Sequence, residues 1–297
     1  MKILVAVDRN PYSACAVHEV ARLARNTLAN VTLLGVVPRK NVKDDLSYEA
    51  SRRWNPEHPL VKALRNYREK FLGYFADEDS PYANTEFGYE LVEVKRGVWE
   101  QLCVCRSARK NLKVIMRQGS PVKEILAESQ EEDTDLIVLG CNKETMCAWE
   151  ERSKVPQKIV NEAACSVLVA KEENKVEKII CCLDHDKTSQ QSLEMINQIV
   201  TLHRAALEIV GIIDGQGLRA DVDRKMANIF KYYFERQIQP SIKLVPLSSL
   251  ELFISEEARH GLMALWMGKK SILEKVFPPS KVNRLIRASA SSVLMLR

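Results

Sequence analysis

Residues 135–170 read DLIVLGCNKETMCAWEERSKVPQKIVNEAACSVLVA, and this stretch decides the fold. It opens with a short apolar run, DLIVLG, closed by Gly140, and ends with a second, CSVLVA. Between them lie a polar loop and a short helical segment, PQKIVNEAA. Apolar runs of this length without alternation predict strands covered on both faces, as in a parallel sheet between helices. The order is therefore strand, loop, helix, strand. A glycine at the carboxyl end of the first strand falls where open α/β sheets take their ligands. The same order recurs at the end of the chain: LMALWMG, a loop with a double proline, the helix SKVNRLIRASA, and the strand SSVLMLR. One unit is thus written twice, with Gly140 and Gly268 in equivalent places.

At 297 residues the chain has room for two domains of ordinary size. Its net charge of +5 is spread over basic residues mixed with acidic ones, a solvated surface rather than a nucleic-acid stripe. No apolar run reaches the about 20 residues that cross a bilayer. The opening MKILVAVD enters a strand directly, without a leader pattern. The eight cysteines form no CxxC pair. Cys103 and Cys105 fall in a stretch read as helical, and the adjacent Cys181 and Cys182 point to opposite faces of one strand. Buried, reduced thiols in a cytoplasmic protein follow, with neither nucleic acid nor membrane as partner.

Outward from the opening stretch, the first half reads as KILVAVD (strand), a loop at Asp8–Pro11, a helix over 13–28 and the strand VTLLGVV over 31–37. Ala16, Val20, Leu23, Ala24 and Leu28 make the apolar face of that helix. Two parallel strands joined by a helix form a right-handed βαβ unit. Residues 39–81 are charged and carry aromatics. A helix is expected over 59–74, with Leu60, Leu64, Tyr67, Phe71 and Tyr74 on one side. Residues 85–95 predict an added strand or hairpin arm, and 98–110 a helix. A core strand follows at 112–117, then a helix opened by Ser120 as N-cap and Pro121 at N1. The second half repeats this order: strands at 178–184, 207–213, 242–245, 262–268 and 293–296, with helices at 188–203, 219–239, 249–260 and 280–290. The charged stretch 171–175 is the expected boundary, between domains at 1–171 and 176–297. Strands alternating with helices give two α/β domains, each an open, mostly parallel five-stranded sheet between helices, Rossmann-like in type.

The chain resembles the tandem universal stress proteins. The resemblance rests on the strand-Asp openings at Asp8 and Asp184, on VTLLGVV, on GSPVKEILAESQEEDTDLIVLG from Gly119, and on VPQKIVNEAACSVLVA from Val155. It covers the chain in two copies except the insertion at about 39–95. ATP-binding members carry Gly, two residues, Gly, nine residues, then Gly and Ser or Thr after the fourth strand. Small residues there let backbone N–H groups close around phosphates, and the hydroxyl adds a donor. In the first half Gly140 keeps the first position, while Lys143, Ser153 and Lys154 stand at the other three. In the second half Gly268 is kept, Ser271 takes the second place, the loop is two residues shorter, Pro279 replaces the third glycine and Ser280 matches the hydroxyl. The resemblance also implies nucleoside contacts at Asp8 and Val36, and at Asp184 and Ile212. Neither half carries the full motif.

Three functional readings follow. The first is a non-catalytic stress-response or regulatory protein with degenerate nucleotide loops and no cofactor. The second is an ATP- or AMP-binding switch using the first half, where the loop length is intact, with Mg accompanying only the nucleotide. The third is an interaction scaffold that presents Trp54, Tyr67, Phe71 and Tyr74 to a protein partner. No Ser/His/Asp order, zinc spacing or Walker loop is present, so no catalytic residue is assigned. By resemblance, CSVLVA and SSVLMLR should meet near a pseudo-twofold axis in an intramolecular pseudo-dimer, with a homodimer of whole chains as a further possibility.

Overall fold

The computed structural model describes residues 1–38, 54–75, 80–82, 91–102, 109–141, 154–171, 176–182, 189–213, 220–267, 273, 278–289 and 291–297. The chain divides into two compact units, Met1–Cys165 and Ser166–Arg297. Of the charged stretch 171–175, read as a linker, Lys171 is instead the buried last residue of a strand, and 172–175 lie outside the described residues.

The first unit runs β1 (Lys2–Val7), α1 (Tyr12–Thr27), β2 (Asn30–Val37), α2 (Pro59–Gly73), β3 (Leu91–Lys95), β4 (Val98–Gln101), β5 (Leu112–Gln118), α3 (Pro121–Glu131), β6 (Leu136–Cys141) and α4 (Val155–Glu162). Its strands lie in the order β6-β1-β2-β5-β4-β3. The pairs β6–β1, β1–β2 and β2–β5 are parallel, and β5–β4 and β4–β3 are antiparallel. The apolar runs do what their lack of alternation predicts: Ile3–Val7 and all six residues of β6 are buried, each large side chain contributing about 1.5–3 kcal/mol. α1 packs on β1 and β6, α2 packs on α1 and β2, and α3 packs on β2 and α4. The expected apolar face of α1 is buried except at Leu28, which closes the helix in the left-handed conformation and is half exposed.

One element differs from the sequence reading. A helix was expected from Val98, but Val98–Gln101 is a strand. Gly97, at φ +76°, turns the chain back after β3, and its N–H donates to Glu93 Oε1 at 3.0 Å. Once the turn is made, Trp99 is driven into the core and meets Trp54 edge to face at 5.4 Å. Residues 103–108, with Cys103 and Cys105, lie outside the described residues. The expected hairpin arm is present as β3.

A buried ion cluster ties this hairpin side to α3. Arg117 of β5 is buried, with Nε 2.8 Å from Glu128 Oε2 and Nη2 2.7 Å from Glu131 Oε2. Lys95 of β3 binds the same Glu131 oxygen. Burial pushes the Glu128 carboxyl above its ordinary range, against the pull of Arg117.

The second unit runs β7 (Ser166–Lys171), β8 (Lys178–Cys182), α5 (Gln190–His203), β9 (Ala206–Ile213), α6 (Ala220–Phe234), β10 (Ser241–Pro246), a 3-10 turn (Leu247–Ser249), α7 (Leu250–Glu257), β11 (Leu262–Trp266), α8 (Pro279–Ala288) and β12 (Val293–Leu296). Its strand order is β10-β9-β8-β11-β12-β7. The first five are parallel, and β7 joins β12 antiparallel, with Val169 opposite Val293 and Val167 opposite Met295. CSVLVA and SSVLMLR, expected to meet, pair here as β7 and β12 within one unit. Lys171, buried at the end of β7, donates from Nζ to the carbonyls of Ile286 and Ser289, each at 2.5 Å. A cation there satisfies orphan carbonyls and meets the negative end of α8. Cys181 and Cys182 are fully buried, and burial raises both thiols, so they stay protonated.

Two outcomes test this packing. Arg117→Met should lower unfolding stability at pH 7 by about 3–5 kcal/mol, because it leaves a buried carboxylate unpaired. A raised folded-state carboxyl favours the proton when folded, so the loss should shrink as pH falls from 7 towards 5; urea melts at both pH values measure it. Lys171→Ala should cost about 2–3 kcal/mol, read from the same melts.

Candidate functional site

At the carboxyl end of β1 the chain must turn into α1, and Asp8 organises that turn. Its Oδ1 accepts from the Asn10 N–H and the Ser13 hydroxyl, both at 2.8 Å. Its Oδ2 accepts from Asn10 Nδ2 at 2.6 Å and from the Tyr12 hydroxyl. The Asp8 N–H in turn donates to Ser13 Oγ at 3.0 Å. A carboxylate with two oxygens accepts about four such bonds, so the donors of residues 10–13 fill its capacity.

The insertion reaches this turn. Tyr67 of α2 donates from its hydroxyl to the Asn10 carbonyl at 3.0 Å. Burial, with the Asp8 charge adding to it, pushes the Tyr67 phenol up and keeps it protonated. Leu60 and Leu64 of α2 lie against Gly35 of β2, where an added Cβ would come within 3.1 Å of both. His58 caps α2 by accepting from the Leu60 N–H at 3.3 Å. What remains open is a pocket of about 320 Å³ lined by Asp8, Arg9, Asn10, Val36, Val37, Pro38, His58, Pro59, Leu60 and Pro121. That volume is at the small end of ligand pockets, which run about 300–1,000 Å³. Three of its walls are prolines, which offer no N–H donor.

The sequence-predicted residues fare differently. Asp8 and Val36 share the pocket lining. Gly140 does not line it; it is buried in β6, where a Cβ would sit 2.2 Å from the Tyr12 carbonyl oxygen. Its missing side chain therefore serves the close approach of α1 to β6. Lys154 precedes α4, exposed, in the left-handed conformation at φ 49°. Pro156 in the first turn of α4 removes one of the N–H groups a phosphate would use. In the second unit Ile212 is half-buried on β9, and Ser280 is exposed in the first turn of α8. Lys143, Ser153, Asp184, Gly268 and Ser271 lie outside the described residues. Among the described residues, no group of three or more His, Cys, Asp or Glu is placed to hold a metal, and no helix is long and apolar enough to cross a membrane.

Sequence reasoning missed Tyr12, Asn10 and Ser13 as the partners of Asp8, and His58–Leu60 as pocket wall. The spacing of Leu60, Leu64, Tyr67 and Phe71 signalled a buried helix face; nothing local signalled where that face would land. The aromatic residues considered as a contact surface are turned inward. Trp54, Tyr67 and Phe71 are buried, and Tyr74 alone of the four is at the surface.

The fold is that of one family. The universal stress protein family model matches residues 1–171, and the chain belongs to the universal stress protein family. A solved universal stress protein from Archaeoglobus fulgidus matches with a TM-score of 0.57 at 14% identity, over 100% of this chain and 96% of that one. A Pseudomonas aeruginosa protein assigned to the same family matches with a TM-score of 0.57 at 13% identity, over 99% of this chain and 92% of the other. The cytoplasmic domain of a prokaryotic cation chloride cotransporter matches with a TM-score of 0.50 at 10% identity, over 99% and 94%. At these identities the likeness is one of fold. None of the curated proteins compared with the chain matches it.

Gly140→Ala should destabilise the protein by about 1–3 kcal/mol or more, because the methyl meets backbone that cannot move aside. Lys154→Gly should do the reverse and stabilise by about 1 kcal/mol, relieving a left-handed residue. Thermal unfolding of the two variants, side by side, checks both signs.

Proposed function

We propose that this chain is a non-catalytic, cytoplasmic stress-response regulator in which the first-unit nucleoside pocket is narrowed, and its Asp8 carboxylate occupied, by the protein's own residues. The observation that carries this reading is the state of Asp8. Its carboxylate accepts from Asn10, Tyr12 and Ser13, so a nucleoside would have to displace internal bonds to reach it. Residues 58–60 of the insertion line the same space. With Lys143 and Ser153 at two glycine positions of the motif, and Pro156 in the first turn of α4, the phosphate cradle loses both room and donors. No residue with a general-base or nucleophile environment lines the pocket beyond Asp8 and His58, and His58 is committed to capping α2.

In this reading the repeats are residues 1–171 and 176–297, acting as an intramolecular pseudo-dimer that signals through protein contacts. The degenerate second-half positions Asp184, Ile212, Gly268, Ser271 and Ser280 would hold no nucleotide either. A second reading, an ATP- or AMP-binding switch, draws on the pocket that Asp8 and Val36 still line. There Lys143, Ser153 and Lys154 would meet the phosphates and Mg would enter with the nucleotide. The scaffold reading loses its surface, because Trp54, Tyr67 and Phe71 are core residues.

Calorimetric titration of the full chain with Mg-ATP and with AMP decides between them. No binding heat at millimolar nucleotide, and no phosphate release, is the expected result. Micromolar binding at one site, weakened at least tenfold by Lys143→Ala with Lys154→Ala, would replace the proposal with the switch.

A further inference from the structure

The two units treat one equivalent strand edge in opposite ways. β5 in the first unit and β10 in the second each lie parallel beside the second strand of their βαβ unit, on β2 and β9. β5 carries another strand on its far edge: β4 lies antiparallel there, with Trp99 opposite Met116 and Glu100 opposite Ile115. Ile115 and Met116 are consequently 4% and 0% exposed. β10 is the last strand of its sheet, with no strand on its far edge among the described residues. Its first four residues are exposed, including Ile242 at 48% and Leu244 at 46%.

An open edge is a row of unpaired N–H and C=O groups ready to take a strand. Proteins usually guard such an edge with lysine, and β10 has one, Lys243. Its charge is folded back onto its own unit: Nζ lies 2.9 Å from Glu257 Oε1 and 4.6 Å from the centre of the Phe253 ring. Leu244 is held in place over Gly211, where a Cβ would come 2.8 Å from Leu244 Cδ2. The edge is therefore ordered, apolar on one face and electrostatically quiet.

We propose that β10 is a strand-addition edge whose occupant is β10 of a second copy of this chain, paired antiparallel about a twofold axis at Leu244. A twofold axis pairs a strand with itself antiparallel by symmetry, the sense in which β4 lies on the equivalent edge of β5. Centred on Leu244, the pairing sets Leu244 against Leu244, Lys243 against Val245, and Ile242 against Pro246. Apolar side chains then share one face, and no lysine opposes a lysine. A register centred on Lys243 would place two ammonium groups directly opposite, which is destabilising.

The test uses the full chain. Directly opposed antiparallel residues have Cα atoms about 4.5–5.5 Å apart, within disulfide reach. Residue 242 and its symmetry mate would be four residues apart along the ladder, about 13 Å and out of reach. With oxidised glutathione, Leu244→Cys should give a reducible species at twice the 33.8 kDa chain mass, while wild type and Ile242→Cys should not. By sedimentation, Leu244→Lys should weaken self-association at least tenfold. A wild-type chain that stays monomeric at tens of micromolar would overturn the proposal. So would a dimer untouched by Leu244→Lys that forms no link through Cys at 244.

Discussion

The turn held by the Asp8 carboxylate is the constraint on which the first unit depends. Four donors from residues 10–13 converge on it, and they fix how the chain leaves β1 and enters α1. That entry sets the Tyr12 carbonyl against β6 so closely that only glycine fits at position 140. The same turn offers the Asn10 carbonyl to Tyr67, which anchors the insertion helix over β2. One saturated carboxylate thus couples strand, helix and insertion. It does so in the place where an open α/β sheet would present a free acid to a ligand.

The insertion does two further jobs in the first unit. Its helix fills the space beside Gly35 with Leu60 and Leu64, shrinking the pocket from one side. The hairpin of β3 and β4 that follows in the chain covers the outer edge of β5, with Trp99 packed beneath and Arg117 neutralised within. The second unit has α6 between β9 and β10, with Met226 Cε 3.9 Å from where a Cβ on Gly211 would sit, but among the described residues it has no counterpart to the hairpin. Its edge strand keeps apolar side chains in solvent, which a single chain gains nothing by exposing.

Much of this architecture was legible in the sequence because it is local or periodic. Unbroken apolar runs marked the buried parallel strands, and the repeated strand-loop-helix-strand order marked the duplication. Helical spacing marked α1 and α2. The helix expected from Val98 failed because one glycine in a left-handed turn, Gly97, outweighed the helical pattern after it. Leu28 followed the apolar period of α1 yet is half exposed, because it caps the helix after Thr27 in the left-handed conformation.

The sequence by itself determined the fold class and the repeated order of strands and helices. Each of these is a property of residue type at a fixed spacing. The tertiary structure decided what the remaining positions do. Gly140 is read in sequence as a ligand glycine, but in space it faces the Tyr12 carbonyl. Asp8 is read by resemblance as a nucleoside contact, but in space its oxygens are filled by neighbours within five residues. Trp54, Tyr67 and Phe71 are offered by one reading as a contact surface, but in space they are core. Contacts of this kind join groups distant in the chain or turn a side chain towards one of several neighbours, and no spacing along the chain specifies them.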